Sequence, residues 1–273
     1  MLSAPMRLLH VDTNGSFKLT ASFRNNRPPP YAILSHVWAA DNQEEVTFED
    51  LTNGMRSSKR GYQKLRFCSE EAKRDGLSYF WVDSCCIDKR SSAEVAEAIN
   101  SMFRWYQNAA KCYVYLSDVS IPNLHSYAQS SQLPNSLSKA FKKSKWFTRG
   151  WTLQELLAPR VVEFFSREGR LIGDKFSLEH LIHDTTKIAV EALRGRLLSQ
   201  FSISERMSWA VKRETTYEED QAYCLFGIFD IHLGQIYGEG LTHAFRRFWK
   251  ELPALGGKLS IHSESDHLLF KQT

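Results

Sequence analysis

The segment Trp146 to Pro159 reads WFTRGWTLQELLAP and brings two tryptophans, an arginine and one carboxylate together just upstream of the apolar run VVEFF. Trp151 and Glu155 stand four apart, so on a helix they share one face. An aromatic plane beside a half-buried carboxylate suits a site that stacks a flat ring and stabilises a cation. The structural alternative is an amphipathic helix whose Trp packs in the core and whose Glu pairs with Arg149 or Arg160.

Other chemistry-bearing residues follow short apolar runs that read as strands. Ser35, His36 and Trp38 follow YAIL; Asp83, Cys85 and Cys86 follow YFWV; Ser117 and Asp118 follow CYVYL. In open parallel sheets ligands bind outside the carboxyl ends of the strands. Polar groups at several strand ends, converging with tryptophans and with Glu155, form the candidate site. The same residues also serve as helix caps and turn residues, and Asp88 before Lys89-Arg90 is read that way. Ser35 and His36 are adjacent, a poor geometry for a nucleophile and its base. Cys86 as a nucleophile needs a histidine, and only His36 is a candidate, by approach in space. His180, His183 and Asp184 have helical spacing and read as a surface helix, so no metal site is expected. There is no Gly-x-Gly-x-x-Gly after a strand, no Walker-type phosphate loop and no Gly-x-Ser-x-Gly elbow.

The elements that must position these groups are legible from pattern. Two short strands, 6–12 and 17–23, are joined at Asn14-Gly15, a hairpin signal. YAILS (31–35), YFWVD (79–83), CYVYL (112–116) and VVEFF (161–165) read as further strands, with a short partner near Leu171-Ile172. A helix over 57–74 carries Leu65, Cys68 and Ala72 on one face and is followed by Gly76, where a C-terminal cap belongs. Ser91 and Glu94 have the spacing of a capping box, opening a helix whose stripe is Val95, Ala98, Ile99, Met102, Trp105, Tyr106 and Ala109. This β-α-β-α-β rhythm predicts an α/β fold, an open, mainly parallel sheet flanked by helices. Residues 120–138 read as a loop. The segments 177–184, 187–194, 204–213, 218–226 and 239–252 read as helices. Glu219-Asp220 is expected to be a solvent-facing helix start, and Tyr237 to Gly240 a turn. The expected division is an α/β core over 1–175, a helical extension over 176–252 packed on it, and a weakly structured tail over 253–273.

With 42% hydrophobic and 24% charged residues, the 273-residue chain has the composition of a soluble globular protein. No apolar run approaches a bilayer-spanning length, and the N-terminus lacks a signal-peptide core. The five cysteines have no framework spacing, so reduced thiols and a cytoplasmic setting are expected. A net charge of +4 is too weak to argue for nucleic acid. Lys139, Lys142, Lys143 and Lys145 read as a solvated helix face.

The blocks YAILSHVW, then YFWVDSCCIDKRSSAEVAEAINSMFRWYQNAAKCYVYLSDV, then WFTRGWTLQELLAP resemble the three signature blocks of the fungal heterokaryon-incompatibility (HET) domain. The stretch RMSWAVKRETTYEEDQAYCLFGIFDIHLGQIYGEGLTHAFRR is similar to the segment that follows this domain in a subgroup often fused to an NTPase module and WD repeats. Two positions depart from the usual blocks. His36 stands where many relatives have Tyr, with Ala39 in place of Gly, and Lys89 stands where Gln is usual.

The resemblance implies regulated cell death on recognition of non-self, triggered by clustering. It also implies a distant relation to the TIR fold, which often cleaves NAD with a Trp, three residues, then Glu on a helix. Trp151 and Glu155 match that spacing. On this basis Glu155 is the expected catalytic carboxylate, and Ser35, His36, Trp38, Asp83, Cys86, Arg149 and Trp151 are the expected ligand-binding residues. NAD or NADP would be substrate, with no tightly bound cofactor. Expected partners are further copies of the chain on activation and an NTPase/WD-repeat receptor, in cis or in trans. The competing expectation is a non-enzymatic module that acts by self-assembly or by binding a partner, with Trp151 and Glu155 structural.

Overall fold

A computed structural model describes residues 6–23, 27–39, 41–54, 59–121 and 133–252. The expected tail over 253–273 and most of the expected loop over 120–138 lie outside them. Seven strands form one sheet: β1 Leu9–Val11, β2 Phe17–Leu19, β3 Tyr31–His36, β4 Tyr79–Trp81, β5 Lys111–Leu116, β6 Val162–Ser166 and β7 Leu171–Asp174. Their order is β2-β1-β4-β3-β5-β6-β7. The central β4, β3, β5 and β6 are parallel, and β1 and β7 join the two sides antiparallel. The predicted α/β class and open, mainly parallel sheet are thus present. The N-terminal hairpin turns where expected: Gly15 takes φ +76°, and Asp12 Oδ1 accepts from the amides of Asn14 and Ser16.

The parallel order doubles back at β3. The chain leaves β3 for β4 on one side, then returns past β3 to β5 on the other. Such a reversal leaves a crevice at the carboxyl ends of the two diverging strands. Helices α1 Phe48–Thr52 and α2 Gly61–Arg74 occupy the first connection, and α3 Asp83–Cys86 and α4 Ser92–Asn108 the second. After β5 come α5 Asn135–Lys142 and α6 Thr152–Leu157. Strand residues alternate between faces. Phe67 of α2 packs on Tyr113, Tyr115 and Phe165. Trp105 and Tyr106 of α4 pack on Trp81 on the opposite face.

Several local expectations hold and others shift. Gly76, at φ +73°, follows α2, and the amides of Gly76 and Leu77 close onto Lys73 and Ala72. Ser91 caps α4 by accepting from the Glu94 amide. The reciprocal half of the box is missing, because the Glu94 carboxylate is held by Arg7 and by the Asp88 amide. The strand expected to reach Asp83 ends at Trp81, since the Val82 carbonyl accepts from Cys85 and Cys86 and starts a helical turn.

The extension comprises α7 Glu179–Thr186, α8 Val190–Leu193, α9 Ile203–Ser208, α10 Asp220–Tyr223, α11 Phe226–Phe229 and α12 Gly240–Glu251. α7 has its expected length, shifted by two residues, and α12 nearly fills its pattern, whereas α8, α9 and α10 are shorter than the patterns suggested. α11 lies so close to α4 that a Cβ on Gly227 would sit 2.2 Å from Phe103 Cβ. Glu219 and Asp220 are not solvent-facing; they are 4% and 6% exposed. Glu219 accepts from the Gly238 and Gly240 amides, and Asp220 from Tyr237 Oη at 2.9 Å, so both are used to hold the turn at 237–240. Among the described residues no helix is long and apolar enough to cross a membrane.

Candidate functional site

The WFTRGWTLQELLAP segment is not one helix. A 3-10 turn, Lys145–Thr148, gives way to a break at Arg149 and Gly150, and α6 starts after Trp151. The cause is the extension, which inserts Glu214 beside Arg149. The Glu214 amide donates to the Thr148 carbonyl at 2.6 Å, and the Gly150 amide donates to the Glu214 carbonyl at 2.8 Å. Glycine at 150 suits this approach, because a Cβ there would lie 2.5 Å from Thr215 Cγ2, which would have to shift.

The break lies before both residues of the sequence motif, and the two side chains have different partners. Trp151 turns its indole N–H to Asp220 of the extension at 3.1 Å. Glu155 turns into the core, 8% exposed. Neither expected arginine partner reaches it. Arg149 donates to Thr216 Oγ1 at 3.0 Å, and Arg160 forms no ion pair among the described residues.

The partner of Glu155 is Ser35, near the end of β3. The Ser35 hydroxyl donates to the carboxylate and accepts from the Trp146 indole N–H at 2.7 Å. Tyr106 Oη donates to the Leu34 carbonyl at 3.0 Å and lies beside the same carboxylate. Burial pushes the Glu155 carboxyl up to about 8, against the lowering effect of the Ser35 hydrogen bond, with the charge of Asp83 adding to the rise and Tyr106 and Arg213 opposing it. Arg213 is itself buried. Its Nη1 donates to the Arg149 carbonyl and to Thr152 Oγ1, both at 2.8 Å, which ties the start of α6 to the extension.

His36 is the next residue and therefore faces the other side of the sheet. Its Nε2 lies 3.7 Å from Glu45 Oε2 and 3.9 Å from Asp83 Oδ1, with no hydrogen-bond partner. Glu45 is raised by burial, but His36 and the Lys64 ammonium outweigh this and hold its carboxyl at about 2. Asp83 links this cluster to the strand ends. It accepts from the Trp38 indole N–H at 2.9 Å and lies 3.6 Å from Lys89 Nζ. Lys89 in turn stands 3.3 Å above the centre of the Trp38 ring. The lysine that departs from the usual block thus covers the face on which a flat ring would stack.

Cys86 stays in the core, 3% exposed, and burial pushes its thiol far up, so it is no thiolate nucleophile. Asp118 caps the 3-10 turn through Ser144 and the Lys145 amide. Of the expected residues, Ser35 and Glu155 share one centre, and His36, Trp38 and Asp83 share a second at the same strand ends. Arg149, Trp151 and Cys86 belong to neither. Trp146, Tyr106, Glu45, Lys89 and Arg213 were missed as site members. Trp146 was in view within the same segment, and Tyr106 was absorbed into the apolar stripe of α4. Among the described residues no group of three His, Cys, Asp or Glu side chains is placed to hold a metal ion.

The family described as "Heterokaryon incompatibility protein (HET)" matches residues 31–155, the span that begins with β3 and ends at Glu155. Vegetative incompatibility protein HET-E-1 of Podospora anserina is 56% identical over 247 residues, covering 90% of this chain and 18% of that protein. The chain therefore spans under a fifth of the length of this relative. No solved structure matches. The matched span supplies every strand, helix and side chain that meets at Ser35 and Glu155 apart from Arg213, and through it the chain belongs to the heterokaryon-incompatibility (HET) family.

Proposed function

We propose that this chain is an effector of cell death in heterokaryon incompatibility, and that it acts by cleaving the nicotinamide–ribose bond of NAD or NADP at the Ser35–Glu155 centre once clustered. The incompatibility role is supported by the family and by the relative's name. The chemistry is supported above all by one observation: Glu155 is a buried carboxyl held by Ser35 at the end of β3, where the order of the parallel sheet reverses.

Loss of nicotinamide leaves an oxocarbenium-like ribose. A carboxylate in a water-poor site stabilises that cation far better than one in water, and the developing positive charge favours the ionised form of Glu155 against the effect of burial. The carbon–nitrogen bond breaks with its electron pair going to nicotinamide. Water adds at the ribose carbon, and one proton is released. Ser35 holds the Glu155 carboxyl in place, and Trp146 holds Ser35. Asp83 is the second carboxylate, available to ribose hydroxyls or to the water. Trp38 offers the stacking face after Lys89 moves away. Clustering, in a homo-oligomer or on an NTPase/WD-repeat receptor in cis or in trans, is the event that opens the centre.

A second reading draws on the low exposure of Glu155. It lines neither the broad cavity between core and extension nor the small one beside Tyr31. In that reading Glu155 is structural and the module kills by assembly alone. Expression in a filamentous fungus, fused to an inducible dimeriser, separates the two. Death on dimerisation with the parent chain but not with Glu155→Gln supports catalysis. Death with both variants supports assembly.

A further inference from the structure

A cavity of about 2080 Å³ lies between the sheet-flanking helices and the helical extension, away from Ser35 and Glu155. Arg104 of α4 and Arg160 after α6 line it from the core, and Arg206 of α9 and Arg196 from the extension. Counting Lys175 and Arg194, six cationic side chains face two carboxylates, Glu179 and Asp230. Arg194 is already taken up by Glu179, through bonds of 2.7 and 2.6 Å.

Two of the remaining cations are buried. Arg206 is 6% exposed and has no carboxylate among the described residues. Its Nη1 donates to the Ile228 carbonyl at 3.2 Å, its guanidinium lies 4.2 Å from the centre of the Phe229 ring, and its Nε has no acceptor. Lys175, also 6% exposed, gives its ammonium, among the described residues, only to the Leu156 and Pro159 carbonyls, at 3.3 and 2.5 Å. Burying cations without counter-charge costs several kcal/mol each. A fold keeps such an arrangement cheaply where an anion supplies the missing charge. Arg104, Arg160 and Arg196 stand exposed at the rim without ion pairs among the described residues. The lining is also apolar in part: Phe176 and Leu197 are 72% and 66% exposed.

We propose that this cavity binds a phosphate-bearing ligand of nucleotide size. Arg206 and the rim arginines take the phosphate oxygens, as guanidinium forks do. Phe176 and Leu197 meet the apolar part. None of these residues belongs to the Ser35–Glu155 centre, so binding here regulates or positions the module and does not depend on NAD cleavage.

The test is calorimetric titration of the whole chain with ATP, with pyrophosphate and with adenosine at physiological salt. The expected result is saturable binding of ATP and pyrophosphate, with adenosine much weaker. The pair Arg160→Glu and Arg196→Glu, at exposed positions, should keep the parent's circular dichroism and weaken ATP about tenfold or more. Arg206→Met should abolish binding, and Glu155→Gln should bind like the parent. If Arg206→Met does not fold, the rim pair alone decides. No binding of ATP and pyrophosphate, equal binding of adenosine, or unchanged binding by the rim pair overturns the proposal.

Discussion

Ser35 donates its hydroxyl proton to Glu155 across 120 residues of chain, and this bond joins the end of the first parallel strand to the helix that precedes the last one. Ser35 is fully buried and also accepts from Trp146, so one hydroxyl satisfies two buried groups. Ser35→Ala leaves both without that partner. The expected loss is about 1–3 kcal/mol for each group left unpaired. Urea unfolding of the variant against the parent measures it, and Ser35→Thr is expected to recover part of the loss.

Glu155 sets a pH dependence of stability. Its folded value near 8 lies above the ordinary carboxyl value, so the folded state holds a proton that the unfolded state has released. The contribution is fully present below about pH 4.3 and falls as pH rises to about 8. The loss across that window is a few kcal/mol at most. Glu155→Gln removes the titration. Its unfolding free energy, measured at pH 5, 7 and 9, should therefore gain on the parent steadily with pH. A constant difference would contradict the raised value.

Lys89 covers Trp38 through a cation–π contact and an ion pair with Asp83. Lys89→Gln restores the residue usual in the family and uncovers the ring. Under the proposed chemistry this lowers KM for NAD about two- to fivefold with little change in kcat, the range expected from one exposed cation–π contact. Steady-state kinetics on the clustered protein read the two constants separately.

Docking of the extension depends on Gly227. Gly227→Ala places a methyl group 2.2 Å from Phe103 Cβ, which α4 cannot yield without moving. The expected cost is about 1–3 kcal/mol. Hydrogen exchange should show the increase in opening concentrated in α10 to α12 rather than in the sheet.

The sheet was legible because its strands are short apolar runs ending in polar residues, and because the helices between them carry clean 3.6-residue stripes. Ser35 with Glu155, and Trp38 with Asp83, were within reach of the rule that strand ends converge. What sequence reasoning missed came from contacts that pattern does not encode. Ser35 and His36 part company because adjacent strand residues face opposite ways, so a single convergent site became two clusters. Trp151 and Glu155 part company because Asp220, far along the chain, takes the Trp151 indole N–H, while Ser35 of β3 takes the Glu155 carboxyl. Glu219 and Asp220 looked like a solvent-facing helix start; their burial follows from Trp151, Tyr237 and two glycine amides, all long-range partners.

Release of nicotinamide from NAD and NADP by the purified, artificially clustered chain, beside Glu155→Gln, tests the central claim most directly. The expected result is release by the parent that depends on clustering and falls at least about a hundredfold in the variant, while both share the same fold by circular dichroism. Equal release by the two proteins, or none from either at any degree of clustering, contradicts the claim and leaves Glu155 as a buried structural carboxyl.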